Sequence, residues 1–149
     1  MAANISPIFP LTPWVGTADL TTVSACTTRH PVTTANLTLT PVFAVALSPA
    51  STNGRRIDKI QVQAASTSIS AATVAQTALI WYSDGTNGYV IDEIAVSASA
   101  PSATAAAFNT SKSYTTLVLP ATYTLWASTT VATTDSTTAL VVTAFGGDY

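Results

Sequence analysis

Apolar residues alternate with threonine, serine and other polar residues along most of the chain from residue 37 onward. A two-residue period is typical of a pleated strand that buries one face, and the β-branched side chain of threonine suits the pleated surface. The alternation predicts seven strands, with a weaker eighth candidate at residues 17–24. The seven are residues 37–47, 56–64, 78–82, 89–96, 114–119, 123–127 and 139–145.

The segments between the predicted strands contain the residues of turns. Residues 83–88, Ser-Asp-Gly-Thr-Asn-Gly, suit a hairpin with four to six loop residues. Ile57 is out of phase with its neighbours, which predicts a β-bulge or a strand start near Asp58. There are two helix candidates. Residues 71–77 form only a short segment, and the alanine-rich residues 101–108 lack a capping residue. Many short strands with little helix predict a single-domain, all-β antiparallel β-sandwich, and a jelly roll is the form that the pattern favours.

The first residues of the chain have a different pattern. Pro7, Pro10 and Pro13 recur at three-residue spacing, which favours an extended, polyproline-like course over a helix or a sheet interior. We therefore predict an N-terminal arm at residues 1–15 and a β-sandwich domain at residues 16–149. The arm contains large apolar side chains, among them Ile8 and Phe9, and we expect it to lie on its own domain or on a neighbouring subunit.

The chain is unusually poor in charged residues. It has five Lys and Arg, seven Asp and Glu, one His and one Cys, against 28 Thr, 26 Ala and 15 Ser. Charged residues make up 8% of the chain, whereas an ordinary soluble domain has roughly 25%. Since a monomer uses charges to keep its surface hydrated, this composition predicts a protein that buries much of its outside against other protein.

Charge and hydropathy also argue against nucleic-acid and membrane partners. The formal net charge is −2, and phosphate binding needs clustered Lys and Arg. The only cluster is Arg55, Arg56 and Lys59 with Asp58, which we interpret as a self-compensating strand end or a subunit contact. No apolar run approaches the ~20 residues that span a bilayer, and prolines interrupt the N-terminal segment, so we expect neither membrane insertion nor an export signal.

No residue pattern indicates an enzyme or a cofactor site. His30 is the only imidazole and lies in a Thr-rich stretch after Cys26, without the signature of a catalytic nucleophile. Asp92 and Glu93 are adjacent, so on a strand they face opposite sides and cannot flank one glycosidic bond. The glycine-containing segment after Asp84 is explained by a hairpin turn rather than a calcium loop. We therefore predict no catalytic, cofactor-binding or metal-binding residues.

Four aromatic residues suggest an alternative function. Trp81 and Tyr82 on one strand, with Tyr123 and Trp126 on another, could form a platform that stacks on sugars if they shared an exposed face. Packing in the core or against another subunit is the default for such residues. A host-surface carbohydrate-binding module is therefore kept as a second alternative.

Short motifs along nearly the whole chain resemble those of a group of small virion proteins of tailed bacteriophages. The matching pieces are MAAN at residues 1–4, PIF at 7–9, TP at 12–13, NGRRIDKI at 53–60, LPATY at 119–123 and AFGGDY at 144–149. In that group Leu-Pro-Ala is usually followed by Gly-Tyr, so Thr122 departs from the pattern.

The resemblance implies a non-enzymatic structural protein of the particle. The expectation is a capsid decoration, or cement, protein on the outer shell, made in the host bacterial cytoplasm and assembled as a homotrimer on the major capsid protein or another virion protein. A tail, neck or fibre subunit is the first alternative. A single cysteine, Cys26, agrees with folding in a reducing compartment.

We expect the arm and the C-terminal residues 145–149 to lie across neighbouring subunits as a clamp. Truncation of residues 1–13 or 146–149 is then expected to weaken attachment and leave the sandwich folded. The residues predicted for this assembly interface are Ile8, Phe9, Trp14, Arg55, Arg56, Phe145, Asp148 and Tyr149.

Overall fold

Strands dominate the computed structural model, which describes residues 12–38, 44–46, 51–66, 68–70, 72–134 and 138–149. Within these ranges it has nine strands and one short helix. In chain order they are β1 (Thr12–Leu20), β2 (Val32–Thr33), α1 (Thr34–Thr38), β3 (Ala44–Ala46), β4 (Arg55–Ala64), β5 (Gln76–Ser83), β6 (Asn87–Val96), β7 (Asn109–Leu119), β8 (Thr124–Thr129) and β9 (Leu140–Asp148).

The strands form two antiparallel sheets. One sheet has four strands in the order β1-β9-β4-β7, and the other has five in the order β2-β6-β5-β8-β3. A single apolar core joins them, with fully buried side chains such as Leu20, Ile60 and Leu140 from the first sheet and Ile80 and Leu125 from the second. Burying a side chain of this size stabilises the fold by about 1.5–3 kcal/mol. The prediction of an all-β sandwich is confirmed at this level.

A smaller apolar cluster lies on the other face of the five-stranded sheet. It contains Leu79 and Trp81 of β5 together with Cys26. The segment that contains Cys26 covers this face, and the backbone N–H of Cys26 donates to the carbonyl of Thr129 at 2.7 Å. The Trp81 indole N–H donates to Ser128 Oγ at 2.8 Å, so the buried ring has its polar atom satisfied. Strand β5 is consequently buried on both faces.

Most of the strand predictions are confirmed. Strands β4 to β9 coincide with six of the predicted segments, and the pairing of β4 shifts register between Ile57 and Lys59, as the out-of-phase Ile57 predicted. The β5–β6 hairpin is also confirmed, although residues 84–86 make its loop shorter than expected. The weaker candidate at residues 17–24 corresponds to β1, which starts earlier.

Three local predictions are wrong. The predicted strand at residues 37–47 gives way to helix α1 at its start, and the structure describes only β3 in the rest of it. The helix candidate at residues 71–77 is wrong because Thr73 forms a β-bridge with Ser99 and β5 begins at Gln76. Residues 101–108 contain no helix, and their turn is held by Ser102, which accepts the backbone N–H groups of the two residues after Ala103.

The ends of the chain differ from the predicted arm and clamp. Residues 1–11 of the predicted arm lie outside the described residues, and residues 12–15 belong to β1, paired with β9. Strand β9 lies between β1 and β4 and pairs with both as far as Asp148. The expectation that residues 145–148 cross onto a neighbour is therefore wrong, since their backbone completes the sheet of their own chain.

Candidate assembly site

One end of the four-stranded sheet gathers most of the residues predicted for an assembly interface. Strands β1 and β4 begin at this end, and β7 and β9 finish there. The pairing register aligns Thr12, Asp148, Arg55 and Leu119 across the sheet, and we call these four residues the end row. Ile8 and Phe9 lie outside the described residues.

Arg55 is the centre of the end row. Its Nε and Nη2 donate to the two carboxylate oxygens of Asp148 at 2.5 and 2.8 Å, and its guanidinium lies 3.9 Å from the centre of the Trp14 ring. The Arg55 side chain is only 6% exposed, whereas that of Asp148 is 32% exposed. Hydrogen bonding from Arg55 lowers the pKa of Asp148. This cluster ties together β4, β9 and β1.

Arg56 points to the opposite face of the sheet, away from the core. It makes a bidentate ion pair with Asp58 at 2.6 and 3.1 Å, in which both side chains are well exposed. On the same face Lys59 Nζ lies 4.3 Å from the centre of the Phe145 ring. The predicted self-compensation within residues 55–59 holds only for Arg56 with Asp58, because Arg55 pairs with the distant Asp148 and Lys59 lies over an aromatic ring. Whether Arg56 and Phe145 contact another subunit stays a prediction.

The outer face of the four-stranded sheet exposes apolar side chains. Val15 and Val118 are exposed, and Val15 is the cross-strand neighbour of Phe145. Tyr149 follows β9, and its backbone N–H donates to the Gly54 carbonyl at 3.2 Å. Val15 and Val118 lie on the opposite edge strands β1 and β7, so they are two separate exposed residues and not a continuous apolar patch.

A stack of three tyrosines lies near the same end of the sandwich, on the five-stranded sheet. The Tyr82 ring is 5.1 Å from that of Tyr89 and 5.5 Å from that of Tyr123, with interplanar angles of 24° and 17°. Burial raises the pKa of Tyr82, and the nearby Tyr89, Tyr123 and Asp84 raise it further. The Tyr82 hydroxyl is therefore protonated at physiological pH.

A cleft of about 320 Å³ opens beside this stack. We call it the tyrosine cleft. It is lined by Tyr82, Ile91, Leu117, Val118, Leu119, Pro120 and Tyr123. None of these side chains is charged, so the cleft suits an apolar, uncharged ligand.

The turn beneath the cleft has an unusual backbone. Thr122 has a φ of 71°, a left-handed conformation that β-branched residues rarely adopt. The Tyr123 N–H donates to the Pro120 carbonyl at 3.2 Å, which makes Thr122 the third residue of a β-turn. Glycine is the usual residue at a third position with positive φ. Thr122 is thus strained at a turn position that usually holds glycine.

A polar network joins the two sheets at their open edge. Asp92 of β6 accepts hydrogen bonds from Lys112 Nζ, at 2.6 Å, and from the Tyr114 hydroxyl, both on β7. Burial disfavours the charged form of Asp92, but these two hydrogen bonds outweigh it and lower its pKa. Burial and the hydrogen bond to Asp92 raise the pKa of Tyr114. Glu93 instead pairs with Arg29, so the two adjacent acids point to opposite sides, as predicted.

The structure places the two residues considered for catalysis in different surroundings. His30 is exposed, and Cys26 is buried with its Sγ 3.4 Å from the Thr28 carbonyl. Among the described residues, no group of three or more His, Cys, Asp and Glu side chains could hold a metal ion. No helix in the described part of the chain has the length and apolar character needed to cross a bilayer.

The predicted sugar-stacking platform is wrong as a set of four rings. Trp81 is fully buried, and with Trp126 it belongs to the cluster on the far face of the five-stranded sheet. Tyr82 and Tyr123 pack instead against the core between the sheets. Neighbouring residues of a strand point to opposite faces, so Trp81 and Tyr82 cannot share one platform.

Comparison of the chain with models of protein families, with curated proteins and with solved structures finds no match.

The tyrosine stack and its cleft are the features that sequence analysis missed. The local pattern predicts a strand at Tyr89 and a turn at Pro120, but it does not predict that either residue lies close to Tyr82. The relevant signal is the hairpin itself, because the β5–β6 register makes Tyr82 and Tyr89 direct cross-strand neighbours. The LPATY motif contains Leu119, Pro120 and Tyr123, which line the tyrosine cleft.

Proposed function

We propose that this chain is a non-enzymatic structural protein of a tailed-phage particle, a capsid decoration protein that assembles with copies of itself. The proposal depends on the phage-like sequence motifs, on the composition of the chain and on the strand order of the fold. The low number of charges and the apolar residues in the first eleven positions both favour a protein that is covered by other protein.

The strand order is the observation that best supports a viral structural domain. When the two-residue β2 is set aside, eight strands remain, and numbered along the chain they form sheets 1-8-3-6 and 5-4-7-2. This order supports a jelly roll, the double-sheet architecture of eight strands that occurs in viral capsid and lectin domains. Because a jelly roll also hosts lectins, fold alone does not carry the function, and the virion role depends on the phage-like motifs as well.

We propose that the assembled form is a homotrimer. In an oligomer with closed symmetry every copy makes the same contacts, and no contact surface is left unoccupied. Native mass spectrometry of the full chain is expected to give three times the 15.3 kDa of one chain. A monomer at micromolar concentration would contradict self-assembly in isolation.

Cryo-electron microscopy of the parent particle tests the virion role. We expect density for a small β-sandwich on the outer capsid, at three-fold or quasi-three-fold positions and in contact with the major capsid protein. Density confined to the neck, tail or fibres would instead support the alternative of another virion subunit. Absence of the chain from purified particles would overturn both.

A further inference from the structure

We propose that the tyrosine cleft is the binding site for the proline-containing N-terminal segment, residues 1–11, of a second copy of this chain. The inference deepens the proposed assembly role and shares with it the premise that copies contact one another. It names the site and the segment through which they do so.

The chemistry of the cleft fits such a segment. Grooves lined by aromatic residues bind extended proline-rich peptides, because the polyproline conformation is already ordered and its rings pack against aromatic faces. The cleft offers Tyr82 and Tyr123 from the tyrosine stack, with Ile91 and Leu117 beside them. Residues 1–11 contain no charged side chain, and the cleft lining contains none either.

The N-terminal segment also starts near the cleft. It joins the described chain at Thr12, which belongs to the end row, and Leu119 of the same row lines the cleft. Three strand spacings separate Thr12 from Leu119, or about 14 Å. Eleven residues in an extended polyproline course span about 34 Å, so the segment is long enough to reach a cleft at this end of a sandwich.

The direction of the chain favours a cleft on another copy. Strand β1 runs away from the end row, so its backbone, followed back to Thr12, points out of this end of the sandwich. Reaching the cleft of the same chain would need a reversal close to Thr12. Pro10 and Pro13 each fix φ and favour an extended residue before them, and an extended course continues away from the sandwich towards another copy. A repeated contact of this kind, from the segment of one copy to the cleft of the next, closes into a ring when the rotation between copies is a whole fraction of a turn, as in the proposed trimer.

Disulfide cross-linking of full-length chains tests the inference. One chain contains Phe9→Cys, and a second chain, labelled with nitrogen-15, contains Val118→Cys. Val118 lines the cleft and is 49% exposed, so its substitution leaves the core intact. The control partner contains Ser111→Cys, an exposed position on the same strand about 23 Å away. The native Cys26 is buried and is present in every chain.

We expect the Phe9→Cys and Val118→Cys chains to form a mixed dimer under mild oxidation. Its tryptic digest should contain residues 1–29 of the unlabelled chain joined to residues 113–149 of the labelled chain. The Ser111→Cys control is expected to give only background yield. A synthetic peptide of residues 1–13 should lower the yield, whereas the same peptide with serine in place of Ile8 and Phe9 should not.

The outcomes separate this inference from the proposed function. Native oligomers without the mixed cross-link would overturn the segment-in-cleft contact and leave self-assembly standing. A chain with both Phe9→Cys and Val118→Cys that cross-links only within itself would also overturn it. Monomers without any cross-link would contradict the inference and the proposed trimer together.

Discussion

Removal of the Asp148 carboxylate is the most direct test of the end row. We expect Asp148→Ala to destabilise the fold because it leaves the buried Arg55 guanidinium without the carboxylate that it binds. Breaking one partner of a buried ion pair costs about 3–5 kcal/mol. Since the Asp148 side chain is 32% exposed, water reaches part of the pair, and we lower the expected loss to about 2–3 kcal/mol.

The neighbouring ion pair provides a matched control. Arg56 and Asp58 have the same bidentate geometry, but both side chains are well exposed. Surface pairs contribute about 0–1 kcal/mol, so Asp58→Ala is expected to lose at most about 1 kcal/mol. For a chain of this length each kcal/mol lowers the melting temperature by about 2–4 °C. Asp148→Ala should therefore lower it by about 4–12 °C.

Urea denaturation followed by tryptophan fluorescence measures both variants. The double variant Arg55→Met/Asp148→Ala is expected to be more stable than Asp148→Ala, because it also removes the buried charge. Equal losses for Asp148→Ala and Asp58→Ala would refute the reasoning. So would a double variant whose loss of stability relative to the wild type equals the sum of the losses for Arg55→Met and Asp148→Ala measured singly.

The pH dependence of stability in an Asp148→Asn variant gives a second readout. The pKa of Asp148 is lowered in the folded protein, so its stabilising effect is present above the unfolded value of about 3.9 and is lost as the pH falls through the folded value. The stability difference between the wild type and Asp148→Asn should therefore shrink below about pH 4. A difference that stays constant from pH 7 to pH 2.5 would contradict the ion pair as its cause.

Four further substitutions test the backbone and the network between the sheets. Gly146→Ala should lower the free energy of unfolding by more than about 3 kcal/mol, because its Cβ would lie 1.8 Å from a carbonyl oxygen of β4. Gly85→Ala should lower it by about 1–2 kcal/mol, because Gly85 lies in open space and only its positive φ opposes a side chain. Thr122→Gly should stabilise by about 0.5–1 kcal/mol, since it relieves a left-handed threonine and gives back part of that gain as unfolded-state entropy. Tyr114→Phe should cost about 1.5–3 kcal/mol by removing a donor to charged Asp92. Urea denaturation checks each value, and an opposite sign for Thr122→Gly would refute its assigned strain.

Alternation predicted the sheets well wherever one face of a strand is buried and the other is polar. Strand β4 is the clearest case, since even its bulge was visible in the phase of Ile57. The pattern failed where long-range contacts decide. Thr73 pairs with Ser99, 26 positions away, and overrides the local helix preference of the alanines around it. Helix α1 has only five residues, and apolar and polar residues alternate along it. So short a run does not distinguish the period of about 3.6 residues of a helix from the two-residue period of a strand.

The second apolar cluster shows another limit of sequence reasoning. Leu79, Ile80 and Trp81 form a continuous apolar run, which predicts a strand buried on both faces without saying what covers the second face. The segment that covers this face contains Cys26. In the sequence, the only residue of this Thr-rich stretch that indicates burial is the cysteine itself. Likewise, Arg55 and Asp148 are 93 positions apart, so each was predicted as an interface residue while their pairing with each other was invisible.

The position of β9 changes how a clamp can work in this protein. Its residues pair with β1 on one side and with β4 on the other, and Gly146 leaves no room for a Cβ beside the β4 backbone. Truncation of residues 146–149 removes Asp148 from Arg55, so it tests folding rather than attachment. Truncation of residues 1–11 removes no described strand. Loss of attachment with an unchanged melting temperature after that truncation is therefore the result that would assign the clamp to the N-terminal segment alone.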